Sequence, residues 1–190
     1  MGKSSSGKDT IYSALLAREE RKLNPFIIYT TRPIRSNEQD GVQYHFVTIE
    51  ELEQMQKDGK VIELRTYQTI HGPWNYFTAD SDAVDLERED YIGLGTLESY
   101  IKIKEYYGED RVVPVYIEVE DGLRLQRALN RERSLTEPKY EEMCRRFLAD
   151  QKDFCEENIR AAGITRRFLN NRTLEECIDE IQSFLAEYQR

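Results

Sequence analysis

The sequence is poor in the residues that hold transition metals. Two histidines and three cysteines stand among 190 residues, and Cys144, Cys155 and Cys177 form no C-x-x-C pair. A zinc finger or a thioredoxin-type redox centre is thereby excluded, and the cysteines read as reduced core residues. Long apolar runs are lacking too. None approaches the ~20 residues of a membrane span, and none reads as a signal peptide, so a cytoplasmic location without membrane partners is expected. Lys plus Arg number 27 against 36 Asp plus Glu, a net charge of −9. So acidic a chain is a poor general binder of nucleic acid, although a local arginine cluster can still hold a phosphorylated small molecule. The length suits one domain with a small inserted lobe, and no internal repeat or low-complexity linker interrupts it.

What is present begins at the first residues. Gly2-Lys3-Ser4-Ser5-Ser6-Gly7-Lys8 spells G-x-x-x-x-G-K, a loop whose backbone N–H groups surround a phosphate chain. Lys8 is placed to reach the terminal phosphates, and the helix opening behind it presents the positive end of its dipole. Asp9 stands where the motif usually has a hydroxyl, which comes one residue later at Thr10. Thr10 is then the expected magnesium ligand. A buried strand normally feeds such a loop, yet only Met1 precedes Gly2. Met1 therefore reads as an internal methionine, with an upstream strand expected.

Hydrophobic spacing predicts a first helix over about Lys8–Lys22 and a short strand at Phe26–Tyr29. Thr48 with Glu51, and Thr173 with Glu176, are capping boxes that open helices. Strands are expected at 61–64 and 74–78 in a β-rich insert, at 91–94, at 112–117 and at 166–169. Helices are expected near 80–87, over 96–106, over 123–131, and as one long helix from Pro138 to about Ile159 with the stripe Tyr140, Met143, Cys144, Phe147, Leu148, Phe154 and Cys155 inward. Strands alternating with helices indicate an α/β three-layer sandwich.

Arg32, Arg35 and Tyr44 form a second constellation. Two guanidiniums three residues apart and a phenol nine further on suit one phosphate, because the planar fork of arginine makes paired charge-assisted bonds to phosphate oxygens. Here the sequence resembles the guanylate kinases. The run Thr30-Thr31-Arg32-Pro33-x-Arg35-x-x-Glu38-x-x-Gly41-x-x-Tyr44-x-Phe46 is that family's signature. The resemblance implies a P-loop kinase fold over 1–190, with a parallel core sheet (1–30, 80–130 and 150–190), a small β-rich GMP-binding lobe (31–79) and a helical lid (131–149). It implies ATP-dependent phosphorylation of GMP by a monomer or homodimer, with Mg²⁺.

By the same resemblance, Arg32, Arg35, Tyr44 and Tyr76 would hold the GMP phosphate, while Glu63 and Thr78 would meet the guanine. Gly2, Ser4, Ser5, Ser6, Gly7, Lys8, Asp9, Thr10, Arg127 and Asn170 would meet ATP. Lys8, Arg32, Arg131, Arg145 and Arg146 would supply catalytic charge. Two departures bear on base specificity: Ile28 replaces a serine that contacts guanine, and Gly93-Leu94-Gly95 replaces an acidic D-x-D. The alternatives are a related small-molecule kinase, such as a ribose bisphosphate kinase, and a non-catalytic guanylate-kinase-like binding module. Such modules typically lose the loop lysine and lid arginines, which this chain keeps.

Overall fold

The computed structural model describes residues 1–18, 22–69, 72–81 and 83–188. It divides into two compact units. One comprises Met1–Glu20, Leu94–Leu97 and Val113–Arg190, the other Arg21–Gly93 and Glu98–Val112. Mixed α/β architecture with parallel strand pairing and a β-rich lobe is what the element alternation led one to expect.

In the first unit the loop Gly2–Gly7 runs directly into α1 (Lys8–Ala17). Ile11 and Leu15, one turn apart, bury the same face of α1, which packs on α7 (Leu174–Ala186). The helix is shorter than predicted: Arg18 is already extended. Its guanidinium turns to Asp179 at 3.3 Å and Gln182 at 2.5 Å and pairs with Glu175, fastening the end of α1 to α7. Strand β7 (Tyr116–Glu118) pairs in parallel with β8 (Arg167–Leu169). The predicted strand at 112–117 narrows because Pro114 has no N–H to give a ladder. Met1 joins the other side of β7, donating to Val115 O at 2.7 Å and accepting from Ile117 N at 2.9 Å.

Helices α4 (Asp121–Arg133), α5 (Tyr140–Asp153) and α6 (Glu156–Ala161) complete this unit with α7. The single long helix of the sequence reading is two. Cys155 is extended, and the Asn158 amide donates to Lys152 O and Asp153 O at 3.2 and 3.1 Å, closing α5. No residue of α5 is buried: Cys144 is exposed and Leu148 is 69% exposed. Of the expected inward stripe, Met143 and Phe147 are half-buried, and full burial comes at its end, where Phe154 stacks on Tyr116 at 5.7 Å and Ile159 is buried. Cys177 alone is a buried cysteine, and burial pushes its thiol up to about 11, which keeps it inert near neutrality.

The second unit holds β1 (Leu23–Pro25), β2 (Tyr29–Thr30), β3 (His45–Phe46), α2 (Ile49–Lys57), β4 (Val61–Thr69), β5 (Gly72–Ala79), β6 (Asp90–Ile92) and most of α3 (Leu97–Tyr107). The predicted strand at 26–29 is displaced to both sides. β1 pairs in parallel with β6, while β2 lies between β3 and β5 and the order continues to β4. The helix predicted near 80–87 is absent among the described residues, which form turns. Ser81 Oγ takes Ala83 N and Asp85 Oδ1 takes Glu87 N, so local side chains satisfy the donors a helix would use.

Alternation sorts β4 and β5 into two faces. Phe77, fully buried, and Ala79 face Leu52 of α2, with Tyr29, Val47 and Met55 around them. Glu63, Arg65, Thr78 and Tyr76 share the opposite face, with Glu63 opposite Thr78 and Arg65 opposite Tyr76. Thr30 of β2, opposite Tyr76, continues that face.

Candidate functional site

In the first unit the Gly2–Lys8 loop is built to receive an anion. Gly7 has φ 85°, and a Cβ there would lie 2.5 Å from Asn170 Nδ2. At Gly2 a Cβ would lie 2.6 Å from Ile117 O. Both glycines are therefore required by close approach. Ser5, a non-glycine, is held at φ 63°, a conformation that costs free energy and marks functional loops. The Ser5 and Ser6 hydroxyls are buried without a hydrogen-bond partner among the described residues. Lys8 Nζ lies 3.3 Å from Asp9 Oδ2 at the start of α1, and Thr10 is exposed on the same first turn.

Side chains from α4, α5 and the end of β8 hold this loop. Asp150 accepts from Ser4 N at 2.7 Å, while Arg124 donates to Ser4 O at 3.4 Å and to the same Asp150 oxygen at 3.2 Å. Arg124 is 1% exposed, pairs also with Asp121 at 3.0 Å, and lies over the Phe147 ring at 4.0 Å. Lys3 bonds Gln151, which bonds Asp121. Arg146 reaches Ser4 Oγ at 3.4 Å. Asn170 donates to Ser6 O at 2.9 Å, and Arg127 donates to Asn170 O at 3.0 Å. Arg131 is exposed near the end of α4, and Arg145 is turned to Glu142 at 2.6 and 2.7 Å.

Of the loop-holding residues, Arg124, Asp150, Asp121, Lys3 and Gln151 were not anticipated from the sequence. One signal existed: Arg124, Ala128 and Glu132 are spaced by four and all buried, so an arginine occupies an inward helical position. Such a guanidinium needs partners.

The second unit gathers Arg32, Tyr44, Glu63, Tyr76 and Thr78. Arg32 is 4% exposed, forms a fork with Glu38 at 2.7 and 2.5 Å, and lies 5.0 Å over Tyr44 and 5.3 Å over Phe46. Glu38 also accepts from Arg35 N at 2.9 Å. The Arg35 side chain is exposed and makes no hydrogen bond or ion pair among the described residues. Tyr44 and Tyr76 meet edge to face at 5.6 Å, and burial raises the Tyr44 phenol above its ordinary range. Glu63, 6% exposed, accepts from Thr78 Oγ1 at 2.8 Å and from Arg65 at 2.9 and 3.1 Å. Gly93 ends β6 against Phe26, where a Cβ would sit 3.2 Å from the Phe26 Cβ. A carboxylate there would need that ring to shift.

The fork fixes a pH expectation. The Arg32 hydrogen bonds, with the Arg35 backbone N–H, pull the Glu38 carboxyl from 4.5 down to about 2. A depressed carboxyl contributes stability that is complete above its unfolded value and lost as pH falls through its folded value. The fork's contribution to stability should therefore be complete throughout pH 5–8 and decline as pH falls from about 4.5 towards 2, the fork itself opening around pH 2. Carbon-detected NMR of the Glu38 carboxyl should give a midpoint near 2; a midpoint near 4.5 would mean an unpaired Glu38.

Residues 1–81 match the guanylate kinase family model. The guanylate kinase of Bacillus subtilis (strain 168) is 36% identical over 89 residues, 47% of this chain and 41% of that protein. The Mycoplasmoides gallisepticum guanylate kinase is 46% identical over 66 residues, 35% and 34% of the two chains. That of Fusobacterium nucleatum is 32% identical over 125 residues, 66% and 54%. The chain thus spans about a third to a half of the length of these curated relatives. Among solved structures, the guanylate kinase from Anaplasma phagocytophilum superposes with a TM-score of 0.59 at 23% identity, covering 100% of this chain and 85% of that one. At that identity the likeness establishes the fold, a P-loop kinase fold. No described helix is long and apolar enough to cross a membrane. The phosphate loop and the Thr30–Phe46 signature both lie inside the segment that matches the guanylate kinase family model.

Proposed function

We propose that the protein transfers the γ-phosphoryl group of ATP to the phosphate of GMP, giving ADP and GDP. One observation carries this reading: an anion-ready loop with two buried hydroxyls that have no partner among the described residues occurs in the same chain as the Arg32–Arg35–Tyr44–Tyr76 face. The reading places the enzyme in the cytoplasm, acting on free nucleotides as a monomer or homodimer.

The acceptor oxygen of GMP is already anionic, so the reaction asks for no side-chain nucleophile or base. It asks for alignment and for positive charge on the transferring group. The loop N–H groups and Lys8 hold the ATP phosphates, with Ser4, Ser5, Ser6, Asp9 and Thr10 around them. Asn170 and Arg127 support the loop toward the nucleoside. Arg131, Arg145 and Arg146 supply charge from α4 and α5. Among the described residues no cluster of three or more His, Cys, Asp or Glu side chains could cage a metal. Magnesium bound mainly by substrate phosphates and water needs only one or two protein oxygens, and the Thr10 hydroxyl fits that demand. There it would neutralise charge on the phosphates.

Two roles divide the acceptor arginines. Arg32 is fixed by Glu38 and the aromatic rings, so it offers a charge whose ordering cost is met in folding. Arg35 is exposed and makes its bonds only when phosphate arrives. Arg35→Ala should therefore remove about 1.5–3 kcal/mol of acceptor binding, a weakening of roughly 10–140-fold, and leave ATP affinity unchanged by calorimetry. Equal losses for the two nucleotides would refute a divided site. Following ADP release with GMP, dGMP, AMP, UMP and ribose bisphosphate tests the acceptor itself, and turnover that is fastest with an acceptor other than a purine nucleotide would overturn the reading.

A further inference from the structure

The buried carboxylate of Glu63 already has an arginine on it. An ionised carboxylate has about four acceptor sites, two on each oxygen. Glu63 Oε1 takes the Thr78 hydroxyl at 2.8 Å and Arg65 Nη2 at 3.1 Å, and Oε2 takes Arg65 Nε at 2.9 Å. Three of the four sites are thus used, and the one left is on Oε2. Arg65, with five N–H donors, spends two of them here, and the others have no partner among the described residues. The pair is preset, because residues two apart on a strand share a face and the two side chains are only 3% and 11% exposed. This end of the face therefore offers one acceptor beside several donors.

We propose that Arg65 is a specificity-determining residue that makes Glu63 a reader of a single donor, so that the acceptor site takes 6-oxopurine nucleotides as a class, hypoxanthine as well as guanine. The proposal rests on the reading of this face as a nucleoside monophosphate site. Guanine brings two donors, N1–H and the exocyclic N2–H, and pairing both with Glu63 displaces an Arg65 bond. Hypoxanthine brings N1–H alone, which fits the one remaining site. Both bases carry O6, an acceptor for the unused Arg65 donors, where Ile28 has no hydroxyl to give. Adenine has an acceptor at N1 and a donor at N6, the wrong way round for both groups. The exocyclic amine that distinguishes guanine gains nothing while Arg65 stays in place. Specificity is a difference of affinities, and here the difference is removed on the protein side.

Calorimetric titration of the whole chain with GMP, IMP and AMP tests this. In the wild type, GMP and IMP should bind within tenfold of each other and AMP clearly more weakly. Arg65→Ala, which frees Glu63 for both guanine donors, should raise the GMP/IMP affinity ratio at least tenfold. Arg65→Gln is the second variant, for the case that R65A leaves Glu63 too poorly compensated to fold; it keeps the stem and at most one bond, and should move the ratio in the same direction. A wild-type ratio above tenfold overturns the proposal whatever the variants do, and so does a folded variant whose ratio stays within tenfold of the wild type. Failure of all three nucleotides to bind the wild type would instead remove the monophosphate site itself, and this proposal with it.

Discussion

Lys8→Met should lower kcat for phosphoryl transfer by about 10²–10³-fold, the range found when one preorganised charge donor is removed from a transition state. Lys8 directly follows the second loop glycine and opens α1, so in the proposed reaction its ammonium and the helix N-terminus would act on the same phosphates. Its one polar side-chain contact among the described residues, Asp9 Oδ2 at 3.3 Å, is with an exposed neighbour in sequence, a pairing of little worth to stability. The lysine can leave Asp9 for a phosphate at small cost. The variant should therefore fold with an unchanged melting temperature and bind GMP as before. Its ATP affinity should fall less than its turnover, because the charge on the transferring group is greatest at the transition state. Stopped-flow turnover beside equilibrium binding separates the two effects. Activity above a tenth of wild type would remove Lys8 from the chemistry.

The parts of this molecule that were legible from sequence are those fixed within a few residues. Thr48–Glu51 and Thr173–Glu176 form both halves of their capping boxes, because the partners lie on one turn. The loop glycines were legible for the same reason, since G-x-x-x-x-G-K states a local backbone requirement. The folded Thr30–Phe46 run needs Asn75, whose carbonyl takes Thr30 Oγ1 at 2.8 Å and Thr31 N at 3.0 Å, and nothing local names that partner. Lengths were misread where a distant or lateral contact decides them. Arg18 stops α1 by reaching α7, and Asn158 stops α5 by turning back on it. Cys144 was placed inward by periodicity, yet α5 buries no residue fully, and what its Phe147 faces is the Arg124 guanidinium in place of an apolar core. Arg65 lies just beyond the strand expected at 61–64 and carried no signal of its own, since its meaning comes from Glu63 being buried beside it. The Arg124–Asp150 pair was invisible because 26 residues separate its members, and Ser4, which they share, is 120 residues from Arg124.

That last pair carries the largest expected effect on stability. Asp150→Ala removes a carboxylate that is 16% exposed from an arginine that is 1% exposed. Breaking a buried pair by deleting one partner costs about 3–5 kcal/mol, because the remaining charge is left without compensation. Arg124 keeps Asp121 at 3.0 Å, although Asp121 is 44% exposed, so the lower end of the range, about 3 kcal/mol, is expected. For a chain of this size that is a fall of roughly 6–12 °C in melting temperature. The functional consequence is specific to the phosphate loop. Asp150 accepts from Ser4 N while Arg124 donates to Ser4 O, so the peptide groups on both sides of Ser4 are clamped next to Ser5, whose left-handed backbone needs outside support. Losing the clamp should weaken ATP binding and leave GMP binding within twofold. Asp150→Asn separates charge from geometry: its carbonyl oxygen can still accept Ser4 N, so ATP affinity should recover most of the way while the melting temperature recovers less. A D150A chain that loses stability but binds ATP as tightly as the wild type would show that the pair supports the fold and does nothing for the loop.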